Sequence, residues 1–227
     1  MKNNLINHFL YTNFNFSSEV NNEISCKAKL TTISKRDLIK VSGTPEPKTF
    51  LVLQGLFRMI EVDEDGNQET AELLSGGDIF YSSVLDGRTN DRYVQALSNS
   101  GQLALINQNE LDQITSSYHD LALEVSRIMD RRIKKLQRRV SYLTCNDMEG
   151  RLTSFLAELA GKEGVLNDDK VVVNNFLTHN EIAEIVNMSR QTVTSVLNKL
   201  RMEGKIAYNR KVISLLDKEI TSSLHVA

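Results

Sequence analysis

Short apolar runs separated by turn residues characterise the first half of the chain. Between positions 27 and 107 they read LIKVSG, TFLVLQGLFRMIEV, ETAELLSGGDIF, RYVQAL and QLALI. Runs of this length, bounded by glycine, asparagine and aspartate, predict strands. Asp65-Gly66 lies between two of them and tolerates the positive φ values of a tight hairpin. The pattern predicts a small antiparallel barrel or roll, after a helical opening that ends near Ser25.

A different periodicity begins at His119. Apolar residues there recur three or four positions apart, with charged residues between them, as far as Leu143. This spacing predicts a helix of about 25 residues with one apolar seam. The seam consists of Val125, Met129, Ile133, Leu136, Val140 and Leu143. A seam of this length favours a two-stranded coiled coil with a second copy of the chain, and packing on the roll of the same chain is the alternative.

The same helix contains the basic run RRIKKLQRR, residues 131–139. We interpret it as the solvated outer face of a coiled coil, with an anion-binding site as the alternative. The segment 146–150, NDMEG, then interrupts the periodicity with a cap residue and a glycine. We therefore expect a hinge between domains at this segment.

Residues 179–198, HNEIAEIVNMSRQTVTSVLN, carry the most specific pattern in the chain. A helix-turn-helix needs apolar contacts where its helices cross, a small residue where they approach, and a tight turn. Ala183 is the small residue, Asn187 tolerates the left-handed conformation of the turn, and Ser189 can cap the second helix. The apolar contacts are expected from Ile182, Val186, Met188, Val193 and Val196.

The second helix of this motif exposes side chains of the types that read base edges or hold phosphates. These are Arg190, Gln191, Thr194, Ser195 and Asn198. Thr178 or Asn180 can cap the first helix. Two short β runs follow in KIAYNRKVISLL and are typical of a wing that carries cations toward the DNA backbone. A plain helical hairpin in a core is the alternative, and the wing argues against it.

Charge is distributed unevenly, although the net charge is only −2. Acidic side chains outnumber basic ones in residues 1–118, and basic ones outnumber acidic ones in residues 119–145. Phosphate contacts need only a local basic surface. The segment 190–211 provides such a basic surface, because its only acidic residue is Glu203. Its basic residues are Arg190, Lys199, Arg201, Lys205, Arg210 and Lys211.

With this order of elements, the chain resembles the Crp/Fnr family of bacterial transcription regulators over nearly its whole length. EIAEIVNMSRQTVTSVLNKLRMEGKI is close to the family's recognition segment, and FLVLQGLFRMIEV through GGDIF is similar to its cyclic-nucleotide-binding-like roll. The expected fold is α+β, with an N-terminal jelly-roll-like β-roll, a long dimerisation helix and a C-terminal winged helix-turn-helix. The expected domains are 1–118 for the sensor roll, 119–145 for the helix and 146–227 for the DNA-binding domain.

The resemblance implies a homodimer that places two recognition helices in successive major grooves of a near-palindromic site on double-stranded DNA, with RNA polymerase as a further partner. Arg190 matches an arginine that reads a guanine, whereas Gln191 stands where many relatives carry a base-reading glutamate. Ser195 replaces an arginine of the catabolite activator, so a different half-site is expected. The full expected DNA-contacting set is Thr178, Ser189, Arg190, Gln191, Thr192, Thr194, Ser195, Lys199 and Arg210.

The sensor departs from the family. Nucleotide-binding members follow a glycine and a phenylalanine with a Gly-Glu that engages the ribose and an Arg-Ser that engages the phosphate. This chain instead reads IFYSS at residues 79–83, so we do not expect a bound cyclic nucleotide. An effector pocket, if present, would be lined by Gly77, Ile79, Phe80, Tyr81, Ser82, Arg88, Arg92, Leu136 and Gln137.

We expect no cofactor. An iron–sulfur cluster needs four cysteine ligands and the chain has two, Cys26 and Cys145. The histidines form no spaced pair for haem: His8, His119, His179 and His225. Two possibilities therefore stay open: an unidentified small molecule or partner at the roll shifts the dimer between DNA-competent and incompetent states, or the chain is permanently competent.

Two other classes of protein fit the sequence less well. The first is a cyclic-nucleotide-binding regulatory or protein-interaction module whose C-terminal helices bind only protein, and the basic wing and the Arg190 helix disfavour it. An enzyme is disfavoured because no phosphate loop, H-E-x-x-H or G-x-S-x-G occurs, and Asp168-Asp169 lie in a loop-like stretch, GKEGVLNDDK. The sequence also lacks a secretion-type apolar region and a membrane-length apolar run, so we expect a cytoplasmic protein with no membrane partner.

Overall fold

The computed structural model describes residues 2–83, 90–144, 147–167, 170–209 and 211–217. The chain divides into two compact units, Met1–Leu136 and Gln137–Ala227. This division falls inside the long helix, upstream of the segment where we expect a hinge. The three-domain division remains a prediction.

The first unit is a β-roll preceded by two helices, α1 (Lys2–Asn13) and α2 (Ser18–Lys27). Its strands are β1 (Lys29–Ser34), β2 (Leu38–Lys40), β3 (Lys48–Gln54), β4 (Phe57–Val62), β5 (Gln68–Leu74), β6 (Ile79–Tyr81), β7 (Asp91–Ala96) and β8 (Ser100–Asn107). They form two antiparallel four-stranded sheets, in the orders β1-β8-β3-β6 and β2-β7-β4-β5. The predicted jelly-roll-like architecture is confirmed.

The interior of the roll is filled by side chains from both sheets. Alternate residues of each strand point inward, and the rings of Phe50 and Phe80 stack with centroids 4.7 Å apart. Phe57, Met59 and Leu103 belong to the same buried cluster. Burial of this apolar surface stabilises the roll through the hydrophobic effect.

The hairpin predicted at Asp65-Gly66 is present, but its loop is longer than a two-residue turn. Val62 of β4 pairs with Gln68 of β5, which leaves five residues between them. Only Gly66 of the predicted pair has a positive φ, of 83°. The carboxylate of Asp63 accepts backbone N–H groups of the loop and holds this wider turn together.

Two further helices follow the roll, α3 (Gln108–Ser117) and α4 (His119–Leu143), and α4 has the predicted bounds. Leu121 and Ile128 of α4 are buried against residues of the first unit. The predicted seam lies on a different face. Its exposed members, with their exposed fractions, are Val125 (37%), Met129 (40%), Ile133 (54%) and Val140 (61%); Leu136 and Leu143 are half-buried. The described residues of the same chain therefore leave most of this seam uncovered.

The interpretation of residues 131–139 as a solvated face is wrong for part of the run. Arg132 donates to the carbonyl oxygen of Ile79 and to the carboxylate of Glu72, each at 2.8 Å. Lys135 forms an ion pair of 2.6 Å with Asp78. Positions three and four apart share a helix face, so Arg132 and Lys135 both reach the roll. The exposed members of the run include Arg131, Lys134 and Arg138.

The second unit begins with the last turns of α4 and continues with α5 (Met148–Glu163), whose N-terminus is capped by the Asp147 carboxylate. The other elements are β9 (Gly164–Asn167), β10 (Lys170–Asn174), α6 (His179–Val186), α7 (Arg190–Met202), β11 (Ile206–Tyr208) and β12 (Val212–Leu215). The strands form one antiparallel sheet in the order β11-β12-β10-β9. The loop-like interpretation of GKEGVLNDDK is wrong at residues 161–163, which end α5, at β9, and at Lys170, which begins β10. Asp168-Asp169 lie outside the described residues. None of the helices described combines enough length and hydrophobicity to cross a bilayer.

Candidate nucleic-acid interface

Helices α6 and α7 form the predicted helix-turn-helix, and local hydrogen bonds define each of its corners. The side chain of Thr178 accepts the backbone N–H of Glu181, and the Glu181 carboxylate accepts the N–H of Thr178, which makes a capping box. Asn187 takes the left-handed conformation at φ 53°, and Ser189 accepts the N–H of Thr192 to cap α7. The predicted cap and turn residues are confirmed, with Thr178 as the cap of α6 instead of Asn180.

A buried core fixes the two helices against each other. Ile182, Ala183, Val186 and Val193 are at most 4% exposed, as their predicted contact role requires. Met188 and Val196 are only half-buried. The sequence interpretation missed Ile185, Leu197 and Leu200, which are buried. The 3.6-residue period places Val193, Leu197 and Leu200 on one face of α7, so the opposite face is exposed.

Gln191 and Ser195 lie on that opposite face, and Arg190 is the first residue of α7; all three are exposed. Within the part of the chain that the structure describes, their side chains have no hydrogen bond or ion pair. Arginine and glutamine can each make bidentate hydrogen bonds to base edges, and serine can donate or accept one. These three side chains are therefore available to bind an external ligand.

Thr194 and Asn198, also expected to face DNA, are held by hydrogen bonds inside the unit. The Thr194 hydroxyl donates to the carbonyl oxygen of Arg190 at 2.9 Å and lies 2.9 Å from Nδ1 of His179. Because a hydroxyl carries one proton, Nδ1–H of His179 is the donor in the second bond. The hydroxyl of Tyr208 donates to Oδ1 of Asn198 at 3.0 Å.

Tyr208 connects the wing to both helices of the motif. Its ring lies 6.0 Å from the His179 ring, and the Arg201 guanidinium lies 5.5 Å from its centroid. A cation over an aromatic face is attracted by the ring quadrupole. Strand β11 is thus attached to the start of α6 and to the C-terminal half of α7, an arrangement that the sequence interpretation did not predict.

Lys199, expected to contact DNA, is engaged by an acid of α5. Its Nζ lies 2.6 Å from the Glu149 carboxylate, which also lies 2.9 Å from Nζ of Lys205. The hydrogen bond from Lys199, followed by that from Lys205, lowers the pKa of Glu149. In turn, the hydrogen bond to Glu149 raises the pKa of Lys199, and hydrogen bonds to Glu203 and then Glu149 raise that of Lys205. Part of the basic stretch is therefore neutralised within the protein.

The wing itself is confirmed as the hairpin of β11 and β12. Lys211 lies in its loop and is exposed, with no ion pair to another described residue. The Oδ1 atom of Asn209 accepts the backbone N–H groups of Lys211 and Val212, which shapes this loop. Arg210, expected to contact the DNA backbone, lies outside the described residues.

Three expected effector-pocket residues on β6, Ile79, Phe80 and Tyr81, face different surroundings, and the pocket as a whole stays a prediction. Phe80 is buried inside the roll, Ile79 packs on the cluster formed with α1, and Tyr81 is 52% exposed. The cause is the alternation of side chains along β6. The hydroxyl of Ser82 is buried and accepts the N–H of Lys48. The remaining expected members are half-buried (Gly77, Arg92 and Leu136), exposed and in the second unit (Gln137), or outside the described residues (Arg88).

Comparisons with known proteins point to one class. Residues 150–220 match the family described as Crp-like helix-turn-helix domain. The chain is 30% identical over 193 residues to the transcriptional regulator SdrP of Thermus thermophilus, covering 82% of this chain and 91% of that protein. It is 28% identical over 194 residues to the global nitrogen regulator of Nostoc sp. PCC 7120, covering 85% and 86%.

Structural similarity extends to both units. A crystal structure of a transcriptional regulator of the CRP/FNR family, also from Thermus thermophilus, superposes with a TM-score of 0.63 at 27% identity. The superposition covers 88% of this chain and 99% of that one. The similarity therefore includes the β-roll and the long helix as well as the helix-turn-helix.

Proposed function

This chain belongs to the Crp/Fnr family and is a DNA-binding transcription regulator, and we propose that it acts as a homodimer on a near-palindromic site. The observation that carries the proposal is the exposed surface at the N-terminal half of α7, where Arg190, Gln191 and Ser195 have no partner among the described residues. Each copy of α7 occupies the major groove of one half-site.

The apolar seam of α4 supports the dimer. Val125, Met129, Ile133 and Val140 are exposed in one copy, and large apolar side chains in a regular row favour burial against another surface. The full seam, with Leu136 and Leu143, recurs every three or four residues and so lies along one face of α4. In a two-stranded coiled coil, a second α4 covers this face. The dimer also gives the two α7 helices the symmetry that a palindromic site requires.

Base reading in each half-site is assigned to three residues. Arg190 reads a guanine by two hydrogen bonds to its major-groove edge, and Gln191 reads an adenine in the same manner. Ser195 contributes a hydroxyl next to them. The DNA backbone is contacted near the N-terminal ends of α6 and α7 by Thr178, Ser189 and Thr192. Helix dipoles favour phosphate groups at these ends. Thr194 and Lys199, because they are engaged inside the protein, act mainly in shaping this surface.

Replacement of Arg190 tests this assignment. Arg190→Ala should weaken binding to the selected site by about 1–3 kcal/mol and relax the preference at one base pair. Lys211→Ala is the matched control, because it also removes one exposed cation and should weaken binding to all sequences alike. Binding is measured on DNA selected from a random pool and on variants with one base pair changed. An unchanged base preference in Arg190→Ala would show that α7 is not the reading helix.

We base the proposed regulatory role of the β-roll on its architecture. The stacked Phe50 and Phe80 fill its interior, and a cyclic nucleotide is not its ligand in our proposal. An unidentified effector or partner at the roll shifts the dimer between competent and incompetent states, or the dimer is always competent. Selection of bound DNA with and without a low-molecular-mass cell extract distinguishes the two.

The remaining properties follow from the same function. We assign RNA polymerase as a further partner, because a transcription regulator bound at a promoter acts on that enzyme. We assign the protein to the bacterial cytoplasm, where its DNA lies, and we assign no catalytic activity to it. The similar proteins in the comparison are named as regulators, in agreement with this assignment.

A further inference from the structure

Arg139 is a buried cation near the C-terminal end of α4, in the second unit. Its side chain is 5% exposed, and its Nη2 atom donates to the carbonyl oxygen of Ile185 at 3.1 Å. Ile185 lies in the last turn of α6. The last four carbonyl groups of a helix lack partners within the helix. An arginine at this position satisfies one of them and complements the negative end of the helix dipole.

The turn that follows Ile185 determines where α7 begins. The N–H groups of Asn187 and Met188 both donate to the carbonyl oxygen of Ala183. Arg151 of α5 donates to the carbonyl oxygen of Asn187 at 3.2 Å. Arginines from two different helices thus hold the backbone just before the capping residue of α7. Both bonds act on the backbone segment that leads into Arg190 and Gln191.

We propose that Arg139 is a positioning residue for DNA recognition, which couples the end of α4 to the orientation of α7. The proposal rests on the proposed function, because it concerns the affinity of α7 for its site. The same helix carries the exposed seam assigned to the dimer, so dimerisation and the placement of the reading helix share one element. The hydrogen bond is charge-assisted and excluded from water, which makes it stronger than a solvated one.

Loss of this bond changes the population of the competent arrangement. Without Arg139, the Ile185 carbonyl loses its partner, and the end of α6 can adopt other arrangements in which α7 does not fit the groove. Apparent affinity falls in proportion to the fraction of molecules that remain competent. Leaving a buried carbonyl group without a hydrogen bond costs free energy in the competent arrangement. We expect this cost to lower the affinity for the specific site about tenfold.

The experiment compares Arg139→Gln with Arg138→Gln in the full-length protein. Arg138 is the exposed neighbour on the same helix, so both variants lose one positive charge. We measure affinity for the selected site, affinity for random duplex, oligomeric state, and hydrogen exchange of the Asn187 and Met188 amides without DNA. Arg139→Lys keeps the charge without the planar fork and serves as the conservative variant.

We expect Arg139→Gln to bind its site about tenfold more weakly than Arg138→Gln, with equal affinity for random duplex. Its Asn187 and Met188 amides should exchange faster while those of α5 are unchanged, and Arg139→Lys should fall between Arg139→Gln and the wild type. Equal specific affinity and equal exchange in the Arg139→Gln and Arg138→Gln variants would overturn the proposal, as would faster exchange throughout the unit. If the wild type selects no DNA site, the proposed function fails, and the exchange comparison still decides whether Arg139 holds the turn.

Discussion

Glu149 is the residue where charge most directly supports the DNA-binding unit. Its carboxylate joins Lys199 of α7 to Lys205, which precedes β11. Hydrogen bonds lower the pKa of Glu149, with the larger effect from Lys199 and the smaller from Lys205, so the folded state favours the ionised carboxylate. The stabilisation is therefore complete above the ordinary pKa of 4.5 and is lost as the pH falls through the lower folded value.

We expect Glu149→Gln to be less stable than the wild type near neutral pH and equally stable at the acid end. The measurement is the urea midpoint of both proteins from about pH 6 down to about pH 3. Glu158→Gln is the control, because Glu158 lies on the same helix and pairs with Lys162. If the difference between wild type and Glu149→Gln stayed constant across this range, the carboxylate would not be the source of the stabilisation.

For single residues, the sequence shows which side chains are chemically able to contact DNA, but it does not show which of them already bind another part of the protein. Thr194, Asn198 and Lys199 are of the right kind to contact DNA, yet each is held inside the protein. Their partners are 15, 10 and 50 positions away in the chain. No local period relates such positions, so only the folded structure shows that these groups are engaged. Base contact by Arg190 and Gln191 likewise stays a prediction, because their expected partner is DNA and not another residue of the chain.

Helix α4 is the element on which the proposed dimer depends. Ile133 lies in the middle of its exposed seam and is 54% exposed. We expect Ile133→Glu to sediment as a monomer at concentrations where the wild type is a dimer, because a charge would be buried in the seam. The variant should also lose affinity for the full palindrome, because its two half-sites are no longer bound by linked units.

Leu38→Glu is the matched control for this variant. Leu38 lies on β2 of the roll and is 56% exposed, nearly the same fraction as Ile133. The Leu38→Glu variant introduces the same negative charge at an equally exposed apolar position outside α4. A monomeric Leu38→Glu, or a dimeric Ile133→Glu, would show that the seam is not the dimer interface.

Elements with long periodic patterns are readable from sequence, and short ones are not. The 25 residues of α4 have the predicted bounds because about seven turns repeat one apolar spacing. Strands β9 and β10 have four and five residues, and β9 is exposed throughout. An exposed strand carries no alternation of buried and polar positions, so GVLN resembled a loop. Its place in a sheet is set by pairing with β10.

Over the whole molecule, a net charge of −2 coexists with a surface that binds a polyanion. The local cations decide binding, because screening limits the reach of distant acids to about one Debye length. We expect affinity for the selected site to fall steeply with salt, with a logarithmic slope of about −0.9 for each phosphate neutralised. Lys211→Gln should reduce the magnitude of this slope by about 2 in a dimer.

Lys199→Gln provides the comparison for this slope. Lys199 is already paired with Glu149 at 2.6 Å, so its removal should change the slope less than removal of Lys211. The measurement is the binding constant over a series of potassium chloride concentrations. A slope near zero in the wild type, or a larger change with Lys199→Gln than with Lys211→Gln, would contradict this account of the interface.

In the proposed dimer, the uncovered row of apolar residues on α4 also makes the abundance of the protein a control variable. When the concentration lies below the dissociation constant of the dimer, the amount of dimer rises with the square of total protein. A twofold change in synthesis then gives about a fourfold change in promoter-binding species. Genes under this regulator would thus respond to its own copy number with a threshold, even where no small molecule is sensed.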